Sequence, residues 1–108
     1  MATTDLSSTN MAVVAAAASE NDLTLNPDRE YTLAHDGEQA DGTADTNTIY
    51  FSETTGFART EAAGTDKFKL LDGRAVVVGP GITTLYYGTE TGTPTFSVSV
   101  SRRRFGDH

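Results

Sequence analysis

Alternating hydrophobic and polar positions run through much of the chain and predict a protein built from short β-strands. The clearest case is TFSVSVS at 95–101, where Phe96, Val98 and Val100 alternate with Thr and Ser residues. Successive side chains of a strand point to opposite faces. The pattern therefore predicts a half-buried antiparallel strand with these three residues inward. Weaker alternation predicts further strands at 23–25, 30–35 and 48–52.

The stretch KFKLLDGRAVVV at 67–78 contains a strong turn signal. Its Asp-Gly pair favours a two-residue hairpin, because a type I′ turn needs positive φ angles. Counting outward from the turn pairs Leu70 with Ala75 and Phe68 with Val77, which would form an apolar face. We interpret the opposite face as a candidate partner-contact surface, with an ordinary packed or solvated face as the alternative. Its members are three cations and three aliphatic residues: Lys67, Lys69, Leu71, Arg74, Val76 and Val78.

The succession of elements predicts the fold class. About seven or eight short strands alternate with turns and two longer loops, and no stretch has the period of an ordinary helix. The fold class is therefore predicted as all-β, an antiparallel β-sandwich, with a jelly-roll arrangement as one option. The chain divides into an extended N-terminal arm at 1–27, with a short apolar segment, and a β-sandwich domain at 28–108 with a short basic C-terminal tail.

Composition narrows the possible partners. The 108 residues suit one domain, and the absence of Cys excludes disulfides and thiolate chemistry. The net charge of -7 opposes nucleic-acid binding, which needs a basic surface. Residues 1–66 hold 12 acidic and two basic residues, a net charge of -10, whereas residues 67–108 hold six basic and three acidic residues, a net charge of +3. This split favours either simple solubility or docking between oppositely charged surfaces.

The apolar run MAVVAAAAS at 11–19 is similar in composition to the apolar region of a signal peptide. The preceding residues contain Asp5 but no Lys or Arg, opposite to what a signal peptide requires. We therefore predict no signal peptide. The run is also too short to span a bilayer, so no membrane association is predicted.

Candidate chemistry is sparse. The acidic loop at 36–45 offers oxygen ligands for Ca²⁺ but lacks the spacing of an EF-hand loop, so solvated turns are the favoured interpretation and Ca²⁺ stays open. His35 closes a predicted strand beside Asp36, but no nucleophile motif accompanies it. No phosphate-binding glycine motif is present. The sequence therefore predicts no enzyme, no cofactor and no catalytic or metal-binding residue.

The segments REYTLAHDG, DTNTIYFS and GTDKFKLLDGRAVVVGPGITTLYYGTETGTPTFSVS together resemble small β-sandwich virion proteins of tailed bacteriophages. The resemblance covers about residues 28–101 and lies in short strands, Gly-Pro-Gly and Asp-Gly turns, abundant Thr and Ser, and no Cys. It implies a non-enzymatic capsid decoration or cement protein that binds and stabilises the shell in many copies. It also implies a homo-oligomer, with a trimer favoured, that contacts the major capsid protein or another virion protein after assembly in the host cytoplasm.

The predicted partner contacts lie in three regions. In the arm, the apolar segment at 11–18 is expected to add as a strand to a neighbouring subunit through main-chain hydrogen bonds. Deleting residues 1–19 is then expected to weaken assembly and leave the sandwich folded. The candidate contact residues are Met11, Val13 and Val14 in the arm, Lys67, Lys69, Arg74, Val76 and Val78 around the hairpin, and Arg102, Arg103 and Arg104 in the tail.

Two alternatives remain open at this point. The chain could instead be a component of the phage tail, neck or fibre, since nothing in its sequence separates these locations. It could also be a carbohydrate-binding β-sandwich module, because fold does not determine function. In that case an exposed ring of Tyr86 or Tyr87 would stack on a sugar.

Overall fold

The computed structural model describes residues 3–6, 12–61 and 66–102, with side chains described for 12–61 and 66–100. These residues form β-strands and no helix, so the described chain contains no helix long enough to cross a membrane. The strands are β1 (Thr3–Leu6), β2 (Ala12–Ala15), β3 (Asn21–Leu25), β4 (Glu30–His35), β5 (Ile49–Ser52), β6 (Lys67–Leu70), β7 (Ala75–Val78), β8 (Thr84–Thr89) and β9 (Thr95–Arg102).

The strands form two sheets that pack face to face. One sheet has the order β1-β3-β8-β5-β6 and the other the order β2-β9-β4-β7. Every pairing is antiparallel except that of β1 with β3, which is parallel and lies at an edge. The predicted all-β antiparallel sandwich is therefore confirmed, whereas the jelly-roll arrangement stays a prediction.

An aromatic cluster fills the space between the sheets. Phe96 of β9 is fully buried and meets Phe51 and Tyr87 of the opposite sheet edge-on, with ring centroids 5.1 Å apart in both pairs. Phe51 also stacks on Phe68 at 5.2 Å. Such pairs add to the stabilisation that burial of their large apolar area provides. The predicted inward side of β9 is confirmed: Phe96 and Val98 are buried, and Val100 packs against the core.

The apolar segment of the arm belongs to the sandwich where the structure describes it. Strand β2 pairs with β9 of the same chain, from Ala12 opposite Val98 to Ala15 opposite Thr95. Val14 is buried in the core together with Ala16, which directly follows the strand. Within the described single chain, β2 therefore completes the four-stranded sheet, and its addition to a neighbouring subunit stays a prediction.

The predicted pairing across the Asp-Gly turn is wrong. The turn itself forms, since the Arg74 amide donates to the Leu71 carbonyl at 3.0 Å, but it carries the chain from one sheet to the other. Strand β6 pairs with β5 and β7 pairs with β4. A tight turn determines only the local path of the chain, whereas the choice of partner follows from burial. Pairing with β5 places Phe68 directly opposite Phe51 in the core.

The mixed face of cations and aliphatic residues predicted for this stretch therefore does not form. Val78 is buried and Val76 packs against the core, whereas Val77, assigned to the apolar side, is exposed. Lys67 and Lys69 lie in the other sheet, on the outer side of β6. The cause is the separation of β6 from β7, which removes the common face on which the prediction depended.

Candidate protein-interaction surface

The outer side of the four-stranded sheet presents eight central positions without a charged side chain. One row across the four strands consists of Val13, Ser97, Ala34 and Ala75, and the next consists of Ser99, Thr32 and Val77. These seven residues and Ala15 form what we call the uncharged face. All are exposed or partly exposed, while their neighbours along each strand point into the core. The protein has a net charge of -7, so these eight adjacent uncharged positions differ in character from the chain as a whole.

Two exposed valines mark opposite margins of the uncharged face. Val13 in β2 is 62% exposed and Val77 in β7 is 53% exposed. The third large exposed hydrophobic residue in the described chain is Leu71, at 42%, in the turn outside this face. Between the two valines lie small or uncharged side chains of β9 and β4, so the uncharged face is a candidate contact surface.

The margins also present main-chain groups. Hydrogen-bonded and non-hydrogen-bonded pairs alternate along an antiparallel ladder. The Ala16 amide donates to the Pro94 carbonyl, so Val13 and Ala15 direct their N–H and C=O groups away from the sheet. The His35 amide likewise donates to the Arg74 carbonyl, so Val77 in β7 also directs its N–H and C=O groups away from the sheet. Edge strands are commonly protected by a charged residue or a proline, and neither β2 (AVVA) nor β7 (AVVV) contains one.

The outer side of the five-stranded sheet is different, because its own loop covers it. Nζ of Lys67 donates to the carbonyls of Ala58 at 3.0 Å and Thr60 at 2.7 Å. Nζ of Lys69 lies 3.0 Å from Oε2 of Glu61. Two cations predicted to contact a partner therefore hold the loop that follows β5 against the sheet.

Tyr50 completes the attachment of this loop. Its hydroxyl donates to Oε1 of Glu61 at 3.1 Å. Burial, followed by this hydrogen bond, raises the pKa of Tyr50, so the phenol keeps its proton and continues to donate. Hydrogen bonds from Lys69 and then Tyr50 lower the pKa of Glu61. Both shifts favour the protonation states that this hydrogen bond requires, a protonated phenol and an ionised carboxylate.

The remaining predicted contact residues are dispersed. Arg74 is exposed in the turn between β6 and β7, and Val14 is buried. Of the predicted set, Val13 alone lies on the uncharged face among residues whose side chains are described. Met11, Arg103 and Arg104 fall outside the described residues, as does the side chain of Arg102. Sequence reasoning missed Val77, although the alternation of AVVV would identify it once its face is known.

The acidic loop is held by a hydrogen-bond network. The Asp45 carboxylate is buried and accepts bonds from the Asn47 amide and side chain, the Gln39 side chain and the Thr93 amide, at 2.7–3.1 Å. Asp36 accepts from the hydroxyls of Thr95 and Ser97, both at 2.8 Å. In the described part of the chain no group of three or more acidic or histidine side chains is arranged to hold a metal ion. These carboxylates hold the loop to the end of the four-stranded sheet.

His35 supports the same network from inside. It is buried, and its Nδ1 accepts a bond from the Gly37 amide at 2.9 Å. Nε2 lies 2.7 Å from the Asn47 carbonyl, to which it donates as the protonated nitrogen of the neutral ring. This pattern assigns His35 a structural role at the end of β4.

Removal of the Asp45 carboxylate is expected to destabilise the fold. Burial alone would raise the pKa of Asp45, but the bonds from Asn47, Thr93 and Gln39 outweigh it and lower that pKa below 3.8. We expect Asp45→Ala to lower the free energy of unfolding by about 2–3 kcal/mol near neutral pH, since it leaves buried donors unpaired. Urea titration monitored by circular dichroism measures this change.

The pH dependence of that change provides the control. A group whose pKa is lowered by folding stabilises the protein above its unfolded pKa and loses this contribution as the pH falls through its folded pKa. The difference between wild type and Asp45→Ala should therefore shrink below about pH 4. Asp41→Ala, at an exposed position of the same loop, should change the stability much less. Equal losses for both variants would contradict the assigned role of Asp45.

The four tyrosines bear on carbohydrate binding. Tyr31, Tyr50 and Tyr87 are buried, and Tyr86 is partly exposed on the side of the five-stranded sheet that carries the loop. A sugar-stacking platform needs an accessible aromatic ring. The described tyrosines therefore provide no row of exposed rings.

Comparison with known proteins identifies no relative. No protein-family model, no curated protein and no solved structure matches the chain.

Proposed function

We propose that this protein is a non-enzymatic structural protein that docks on other protein subunits through the uncharged face. Its setting, in this proposal, is the virion of a tailed bacteriophage, where it decorates or cements the capsid in many copies. The observation that carries the proposal is the pair of exposed valines, Val13 and Val77, on a face whose eight central residues are uncharged and which the acidic loop borders at one end through Asp36 and Ser97. The resemblance of the strand and turn pattern to small virion sandwich proteins supports the setting.

Physical considerations favour protein as the partner. The side chains of the uncharged face are small, which allows close approach of a complementary protein surface. Edge strands with outward main-chain groups permit strand addition by a neighbouring subunit. Strong negative charge elsewhere on the molecule disfavours binding to nucleic acid and to anionic membranes. The major capsid protein and further copies of this chain are the proposed partners, with a trimer as the proposed oligomer.

The carbohydrate-binding alternative receives no comparable support, because three tyrosines are buried. A location in the tail, neck or fibre relies on the same docking chemistry and differs only in the partner. Docking to heads therefore distinguishes the capsid proposal from the others.

The test combines solution mass with shell binding. Light scattering at micromolar protein should give a mass near three times 11.5 kDa. Co-sedimentation with purified expanded heads from a panel of tailed phages should show saturable binding at a fixed ratio to the major capsid protein. A monomer that binds no head would contradict the proposal. Binding to isolated tails instead of heads would reassign the location.

A further inference from the structure

Two edge strands bound the four-stranded sheet. Its order is β2-β9-β4-β7, so among the described strands β2 pairs only with β9 and β7 pairs only with β4. Both edge strands contain four residues, AVVA in β2 and AVVV in β7. Each edge can therefore accept one further strand from another molecule.

Strand direction makes the β2 edge of a second copy a suitable partner for β7. All pairings within the four-stranded sheet are antiparallel. Because the number of strands is even, β2 and β7 run in opposite directions. A second copy placed beside the first in the same orientation therefore presents its β2 antiparallel to β7, which continues the sheet.

The free main-chain groups of the two edges are in phase. They belong to Ala75 and Val77 in β7, and to Val13 and Ala15 in β2. Antiparallel pairing that sets Val77 opposite Val13 also sets Ala75 opposite Ala15, and the two four-residue strands then overlap completely. Each of these pairs would exchange N–H···O=C bonds, as alternate pairs of an antiparallel ladder do.

The same register brings the exposed valines together. Opposite residues of an antiparallel pair have their side chains on the same side of the sheet, so Val77 of one copy contacts Val13 of the next on the uncharged face. Contacts between such cross-strand neighbours stabilise the pairing, and neither strand contributes a charge to oppose it. One interface therefore covers a valine from each margin.

Two-fold pairing of like edges fits less well. If β7 paired with β7 of a second copy over its whole length, Val77 would lie opposite Val76, whose main-chain groups already bond to β4. The corresponding pairing of β2 would set Val13 opposite Val14, which bonds to β9. A shift by one residue restores the hydrogen bonds but shortens the overlap of the two strands.

From these observations we propose that copies of this chain associate head to tail, with β7 of one copy paired to β2 of the next and Val77 opposite Val13. The interface is heterologous, so each copy has two neighbours, and rings with an odd number of subunits are permitted. A trimer is one such ring. The inference rests on the proposed function, which takes further copies of the chain as partners, and it adds which edges meet and in which register.

Disulfide trapping tests this register in the full-length chain. The sequence contains no Cys, so introduced cysteines are its only thiols. Residues of a hydrogen-bonded pair have Cα atoms about 5.5 Å apart, a distance that a disulfide spans. We expect a mixture of the Val13→Cys and Val77→Cys proteins to form severalfold more covalent dimer on mild oxidation than either protein alone. Peptide mass spectrometry should locate the bond between positions 13 and 77.

The double variant Val13→Cys with Val77→Cys contains both halves of the interface. Within one copy β9 and β4 lie between the two positions, so the disulfide forms only between chains. Denaturing gel electrophoresis should therefore show covalent species larger than a dimer. The matched control is Val13→Cys with Leu71→Cys, because Leu71 is also exposed but lies outside both edge strands, and it should form severalfold less cross-linked product.

The outcomes separate this pairing from its rivals and from the proposed function. As much dimer from Val77→Cys alone as from the mixture would assign a two-fold interface and overturn the proposal, as would equal cross-linking of the Leu71 control. Circular dichroism verifies that each variant is folded, so an absence of cross-links would also overturn it. Binding to phage heads without the bond would reject head-to-tail association and leave the proposed function in place. The bond without binding to heads or tails would support the association and contradict the proposed setting.

Discussion

Val77→Asp is expected to abolish docking while leaving the sandwich folded. The substitution places a carboxylate in the middle of the exposed margin of β7, where a partner would have to bury it without a counter-charge. We expect the affinity for phage heads, or for further copies of the chain, to fall by about a hundredfold or more. Because the side chain stays in water in the free protein, the free energy of unfolding should change by no more than about 0.5–1 kcal/mol. Co-sedimentation and urea titration measure the two quantities.

The control for this experiment is Leu71→Asp. Leu71 is also a large exposed hydrophobic residue, and the substitution adds the same charge, but it lies in the turn outside the uncharged face. Docking should survive it. Val13→Asp, on the opposite margin, should reproduce the loss caused by Val77→Asp. If Leu71→Asp weakened docking as strongly as the two valine variants, the effect would be one of net charge and the uncharged face would not be the docking surface.

The point variant at Val13 is also a sharper test than the deletion of residues 1–19. That deletion removes Val14 and Ala16, which are buried in the core, together with the exposed margin. A loss of docking on deletion could therefore result from unfolding alone. Val13 has its side chain in water, so its substitution separates docking from stability.

Phe96→Ala is expected to cause the largest loss of stability. The ring is fully buried and contacts Phe51 and Tyr87 across the sandwich, so truncation leaves a cavity between the sheets. Large-to-small changes of this kind cost about 3–5 kcal/mol, a large share of the 5–15 kcal/mol that stabilises an ordinary domain. Urea titration at low temperature, monitored by near-ultraviolet circular dichroism, measures the loss.

Two variants keep this prediction testable if Phe96→Ala fails to fold. Phe96→Leu retains most of the apolar volume and should cost less than the alanine variant. Phe57→Ala removes a ring that is partly exposed in the loop after β5 and should also cost less. A loss for Phe57→Ala equal to that for Phe96→Ala would mean that the aromatic cluster around Phe96 is not the centre of the core.

Strand β9 shows what alternation alone can predict. Its sequence places Phe, Val and Val at every second position between Thr and Ser residues, and the structure buries that side. The prediction succeeds because one face of an antiparallel strand meets the core and the other meets solvent, so the pattern is local. The predicted strand at 30–35 coincides with β4 for the same reason.

The residues of the uncharged face were harder to predict from the sequence. Val77 was assigned to the apolar side of a hairpin, because the Asp-Gly turn predicts pairing of the strands that flank it. The structure instead pairs β6 with β5 and β7 with β4, which reverses the orientation assigned to Val76, Val77 and Val78. When the side-chain alternation of a strand is shifted by one residue, its buried residues become exposed and its exposed residues become buried.

The sequence by itself determined the all-β class, the existence and approximate bounds of several strands, and the inward side of β9. It also determined the charge split, the absence of thiol chemistry and the position of the Asp-Gly turn. All of these depend on residue identity or on contacts between near neighbours along the chain.

Only the tertiary structure decided which strands pair, and therefore which valines are exposed. It also decided that Lys67 and Lys69 hold a loop of their own chain, and that the Asp45 carboxylate belongs to a buried network. These outcomes follow from contacts between strands that lie far apart along the chain, such as the pairing of β6 with β5 that sets Phe68 opposite Phe51. A local sequence pattern cannot predict which strands pair, because the burial of each strand depends on how the two sheets pack.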